Sequence, residues 1–159
     1  MRLPRRHGLA MHIDHVNIVV RDIERSVAFY RDVLGFAITN RKDLSGDWIE
    51  SIVGLKGVRA TVVFVMPPGG GVRIELLQYH APAGTEFADH GMPNTLGLRH
   101  FAFKVEDIDA VYERLLSAGV EFVGPPVTVP QGIVKTPDKS LCYFHDPDGV
   151  LLEITEYDD

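Results

Sequence analysis

VRIELLQY, residues Val72 to Tyr79, has a second copy near the C-terminus: VLLEITEY, Val150 to Tyr157. One constant offset matches Val72 with Val150, Glu75 with Glu153 and Tyr79 with Tyr157. Each copy is an apolar, strand-like run with a glutamate in its interior. Working outward, DHVNIVVRDI around His15 is echoed by RHFAFKVEDI around His100, which aligns Asp22 with Asp107 and Ile23 with Ile108. Each half therefore opens with a histidine on a strand and closes with a glutamate on a strand. Two imidazoles and two carboxylates in symmetric places form a plausible ligand set for one divalent metal ion.

Side-chain alternation gives these residues a common setting. Along the first strand His15, Asn17 and Val19 share one face, and Val16, Ile18 and Val20 the other. Glu75 shares its face with Arg73, Leu77 and Tyr79, Glu153 with Leu151, Thr155 and Tyr157, and His100 with Lys104. Each candidate ligand falls on the more polar face, as a sheet needs when one side is under helices and the other lines a cavity.

The elements between the repeats follow one plan. Asp22 reads as the N-cap of a helix whose apolar stripe is Ile23, Val27, Tyr30 and Leu34, stopped by Gly35. Strands are expected over 36–40, 58–66 and 72–79, with a short helix around Trp48 to Val53 and a turn at PPGGG, 67–71. The linker His80 to Thr95 is rich in glycine and proline. The second half then gives a strand over 97–105 and an Asp107-capped helix (Ile108, Val111, Tyr112, Leu115) stopped by Gly119. Strands beginning at Val120 and Leu141, a DPDG turn (146–149) and a strand over 150–157 complete it. The order β-α-β-β-β is given twice, an α+β chain. Residues 1–11 are read as a tail and 12–159 as one domain built of modules 12–79 and 97–157.

Composition narrows the function classes. A hydrophobic share of 45% is that of a globular protein, and a net charge of −6 argues against a general nucleic-acid binder. No apolar run reaches the roughly 20 residues of a membrane span. The opening MRLPRRHGLA lacks the apolar stretch of a secretory signal, and Cys142 has no second cysteine to pair with, so a cytoplasmic setting is expected. Cys142 is read as inert. His7, His12, His80, His90 and His145 are read as surface, linker or turn residues.

The segments DHVNIVVRDIERSVAFYRDVLGF, IELLQY, RHFAFKVEDID and YFHDPDGVLLEITEY together resemble the vicinal oxygen chelate superfamily, over about residues 12–157. That family includes glyoxalase I, methylmalonyl-CoA epimerase, extradiol dioxygenases and drug-resistance proteins. The resemblance implies two βαβββ modules forming a curved, half-open barrel around a metal site. Its ligands would be His15, Glu75, His100 and Glu153, holding zinc, nickel, cobalt, manganese or iron(II). It implies a lyase or isomerase that moves a proton next to a carbonyl through a metal-stabilised enolate, with Glu153 as first choice of base and Glu75 as second. Arg73 and Lys104 are candidates to bind an anionic small-molecule substrate, such as a thioester or thiol adduct. A homodimer is expected because each module leaves sheet edges to cover. Two alternatives stand beside this: an extradiol dioxygenase, in which Glu75 would fill a position that oxygen needs, and a non-catalytic antibiotic-binding protein.

Overall fold

Two four-stranded sheets, one per repeat, carry the chain in a computed structural model that describes residues 12–158 except 87, 131 and 134–137. The expected tail, residues 1–11, lies outside the described residues. The first module comprises β1 (His15–Val19), α1 (Ile23–Ala28) running into a π-helical turn (Phe29–Val33), β2 (Ala37–Ser45), α2 (Asp47–Val53), β3 (Arg59–Met66) and β4 (Arg73–Ala81). The second comprises β5 (His100–Lys104), α3 (Ile108–Ser117), β6 (Val127–Thr128), β7 (Lys139–His145) and β8 (Leu151–Tyr157). The sheet orders are β1-β4-β3-β2 and β5-β8-β7-β6.

The local signals act as their chemistry requires. The Asp22 carboxylate accepts hydrogen bonds from the amides of Glu24 and Arg25, and Asp107 accepts one from Ala110, which starts both helices. Gly35 and Gly119 follow the helices with φ of +78° and +82°, a conformation that costs glycine little. Strand β2 runs five residues past the expected end at Asn40, pairing with β3 as far as Ser45↔Arg59. Its RKDL stretch looks irregular in sequence because an edge strand tolerates charge.

Strand β6 is the reverse case. Residues 121–123 lie along β7 through a single bridge, Phe122↔Phe144, and two flanking backbone bonds. Gly124, Pro125 and Pro126 then interrupt the ladder, since proline has no amide to donate.

In each module the first and last strands pair in parallel and in the same register. His15 lies opposite Arg73 and Asn17 opposite Glu75; His100 lies opposite Leu151 and Ala102 opposite Glu153. The faces turned away from the candidate ligands supply one shared core: Ile18, Ile74 and Leu76 from the first module, Phe103, Leu152 and Ile154 from the second, with Ile23, Val27, Tyr30 and Leu115 from the helices. A smaller apolar cluster, with Ile49, Val58, Ala60, Val62 and Leu77, forms on the ligand face of the first sheet under α2.

The DPDG turn fastens the modules together. The Asp148 carboxylate accepts hydrogen bonds from the Arg21 amide (3.0 Å), the Arg25 guanidinium and, at 3.5 Å, the Ser26 hydroxyl. The buried Tyr30 hydroxyl donates to Asp146 at 3.2 Å, and Arg114 donates to the Val33 carbonyl at 2.7 Å. Asp148→Ala leaves donors at the start of α1 unanswered. It is expected to cost about 2 kcal/mol of stability, read as a lower denaturant midpoint; an unchanged midpoint would show that the turn is no clasp.

Candidate functional site

The first half-site stands where β1 runs beside β4. His15 Nε2 lies 3.4 Å from Glu75 Oε2, and the Asn17 side-chain amide donates to the same oxygen at 2.9 Å. On the other side of the ring, His15 Nδ1 is 2.8 Å from Asp14 Oδ2, an oxygen that also takes the Arg73 guanidinium at 2.5 Å. The hydrogen bond from His15, followed by that from Arg73, holds the Asp14 carboxyl below its ordinary value. With Asp14 accepting from Nδ1–H, the Nε2 lone pair is left to point at Glu75. Phe64 supports the arrangement: the His15 ring meets it edge-on with centroids 5.5 Å apart, and the Arg73 guanidinium lies 4.9 Å above it.

The second half-site repeats the pair in different electrostatic surroundings. His100 Nε2 is 3.2 Å from Glu153 Oε2, and Lys139 Nζ donates to Glu153 Oε1 at 3.1 Å. The Glu153 side chain is only 4% exposed, against 20% for Glu75. A carboxylate so far from water needs a counter-charge, and Lys139 supplies it. Burial lowers the Lys139 pKa, but the hydrogen bond and charge of Glu153 outweigh this and leave it above the ordinary lysine value. Burial, and next the negative charge of Glu153, raise the Tyr143 phenol, whose ring packs against His100 with centroids 5.1 Å apart. Lys104 and Lys139 both lie over the Tyr157 ring, at 5.7 and 5.5 Å from its centre.

The structure therefore brings the four candidate ligands together as two pairs. Among the described residues no three histidine, cysteine, aspartate or glutamate side chains converge on one point. Each pair nonetheless fits a metal. Nitrogen and oxygen ligands about 2.1 Å from one ion sit roughly 3.0–3.4 Å apart at neighbouring positions, the spacing both pairs already have. The Asp14–His15 bond is also the outer-shell contact that orients a ligating imidazole.

Of the two candidate substrate cations, Arg73 is engaged by Asp14 and Lys104 rests on Tyr157. Sequence reasoning missed Lys139 by beginning β7 at Leu141, two residues late; alternation puts it on the face of Leu141 and Tyr143, and the Tyr143↔Glu153 pairing makes that the Glu153 face. Asp14 and Asn17 were in view but carried no signal. His80, read as linker, ends up in β4 with its Nε2 2.9 Å from the Thr61 hydroxyl. Cys142 is buried, and burial with the charge of Glu153 pushes its thiol up to about 11, which makes it a poor nucleophile.

Comparison with known proteins gives this geometry a family. The profile of the Glyoxalase/Bleomycin resistance protein/Dioxygenase superfamily matches residues 12–154. A 2-epi-5-epi-valiolone epimerase from an Actinomyces species is 29% identical over 148 residues, covering 91% of this chain and 79% of that protein. A probable lactoylglutathione lyase from Synechocystis is 29% identical over 147 residues, 92% of this chain and 95% of that one. Among solved structures, a glyoxalase family protein from Bacillus cereus superposes with a TM-score of 0.80 at 28% identity, covering 98% and 99% of the two chains.

The Lys139–Glu153 pair yields a direct check. Removing the ammonium in Lys139→Ala strands a buried carboxylate and is expected to cost about 2 kcal/mol, toward the low side because Lys139 keeps some exposure. Adding Glu153→Gln should recover most of that loss. Strictly additive losses in denaturant titrations would mean that the pair is not coupled.

Proposed function

This chain belongs to the glyoxalase/bleomycin resistance protein/dioxygenase superfamily, and on that premise we propose that it is a metal-dependent lyase or isomerase that moves a proton at a carbon next to a carbonyl. The observation carrying the proposal is the histidine–glutamate pair built twice in identical register, at ligand spacing in both modules. His15, Glu75, His100 and Glu153 would hold one divalent ion. Bound there, the ion would supply Lewis-acid chemistry, sharing the negative charge that develops on two neighbouring substrate oxygens as the proton leaves.

The chain's own residues divide the remaining work. Asp14 fixes the His15 tautomer, and Lys139 holds the Glu153 carboxylate in place. Glu153 was the first choice of base from the sequence, but both its oxygens are engaged, by Lys139 and His100. Glu75 is the better base. It is the more exposed of the two, it lines a cavity, and its bond to Asn17 and its contact with His15 both fall on Oε2. An anionic group on the substrate would find its counter-charge in Lys104, since Arg73 is held by Asp14 and Lys139 by Glu153.

Because the two pairs do not converge within the chain, the proposal includes a homodimer in which one protomer's first pair meets its partner's second pair. We place it in a reducing, cytoplasmic setting, where a single buried Cys142 thiol needs no disulfide partner.

Two experiments test this. His15→Ala and His100→Ala homodimers should each lose metal binding, read by calorimetry, while a refolded equimolar mixture should recover it, because half of the sites in mixed dimers are intact. No recovery would place each site within a single chain. Metal retained by both variants would remove the ligand assignment. Separately, metal-loaded protein should exchange the α-proton of a hemithioacetal or a 2-substituted acyl-CoA for solvent deuterium. Glu75→Gln should slow that exchange at least about 100-fold; unchanged exchange would exclude Glu75 as base.

A further inference from the structure

The helix α2 gives the first half-site a wall with no counterpart among the described residues of the second. It is capped by glycine at both ends, Gly46 and Gly54, and packs Ile49 against Val58, Ala60 and Leu77 on the ligand face of the first sheet. Between helix and sheet lies a cavity of about 340 Å³, with His15, Asn17 and Glu75 at its polar end. Leu44, Ile49, Ile52, Val53 and Leu77 form its apolar sides.

No lysine or arginine stands among the described residues that line it. The first turn of α2 carries Asp47 and Glu50, and its last turn carries no base. An anionic group entering this space would give up its water without a counter-charge and would meet the Glu75 carboxylate besides. An uncharged apolar group would gain free energy in proportion to the area it buries. The volume is at the small end of the ~300–1,000 Å³ usual for ligand pockets, enough for a short alkyl chain or a single ring and too small for a nucleotide.

We infer that this cavity is the specificity pocket of the site: it takes the apolar, uncharged substituent of a substrate whose neighbouring oxygens lie at His15 and Glu75, and Ile49, Ile52 and Val53 set which substituent fits. The inference rests on the reading of His15 and Glu75 as ligands. It assigns the substrate class: a small carbonyl compound with an alkyl or aryl substituent, any charged part of which is directed away from α2.

The test is methyl NMR of the full chain titrated with two probes, each without metal and with nickel(II). Hexanohydroxamate has two neighbouring oxygens and an unbranched alkyl tail; adipic acid monohydroxamate has the same tail ending in a carboxylate. The alkyl probe should shift the methyl signals of Ile49, Ile52 and Val53 and bind at least about tenfold more tightly there than the carboxylate probe. Ile52 is 72% exposed, so Ile52→Lys should leave the fold intact and invert that order by offering the carboxylate a partner. The pocket is overturned if the alkyl probe leaves these methyls unmoved, if both probes shift them equally, or if Ile52→Lys does not change the order. The metal assignment fails separately: nickel would tighten neither probe while the preference for the alkyl tail persisted.

Discussion

Parallel pairing of the first and last strand of each module is the constraint from which the site follows. A parallel pair cannot be joined by a hairpin, so the chain must leave β1, build a helix and two further strands, and return as β4. That detour places residues 58 positions apart in sequence side by side, and with β5 and β8 residues 51 apart. Register then decides the chemistry. With Asn17 opposite Glu75 and Ala102 opposite Glu153, the preceding same-face residue in each first strand is a histidine within reach of the glutamate. A slip of one residue would turn the glutamate into the shared core and leave the histidine alone. The apolar residues Ile18, Ile74, Leu76, Phe103, Leu152 and Ile154 oppose such a slip, because it would bring them into water.

Much of this is visible in the chain itself, since strands alternate and helices need caps. Asp22, Gly35, Asp107 and Gly119 mark both helices, and the doubled histidine and glutamate mark both half-sites. What alternation cannot convey is which strand lies beside which across a long loop, and the residues that tune the site depend on that. Lys139 follows a proline-rich segment and reaches Glu153 only because β7 pairs with β8 through Tyr143↔Glu153. Asp14 precedes β1 and acts through the far nitrogen of His15, a contact set by side-chain rotation rather than by periodicity. The cavity under α2 is less visible still: a seven-residue helix between two glycines has too little length to show an amphipathic pattern.

The repeats have diverged around their common register. The first module has a long β2, a helix laid over its ligand face and a partly exposed glutamate held by an amide. The second has a proline-broken β6, no counterpart to α2 among its described residues and a glutamate sealed beneath a lysine. Among the described residues the second ligand face carries charged and aromatic side chains, Lys104, Lys139, Tyr143 and Tyr157. The divergence is therefore directional: the surface beside Glu75 is apolar, and the surface beside Glu153 carries Lys104 and the Lys139–Glu153 ion pair.

That asymmetry bears on why duplication is retained. Two identical half-sites would bind a substrate in either of two orientations, and a proton acceptor on each side would attack from both faces. On the proposed reading Glu75, whose contacts both fall on one oxygen, would be the proton acceptor, and Glu153, whose two oxygens are both engaged, would not. When one wall is apolar and the other charged, a substrate with one apolar and one polar substituent has a single favourable orientation, because the reverse desolvates charge against Ile49 and Val53. On the proposed reading these would fix which face of the substrate carbon meets Glu75. Stereochemical control would then depend on the differences between the modules, and the geometry offered to a metal on the register they still share.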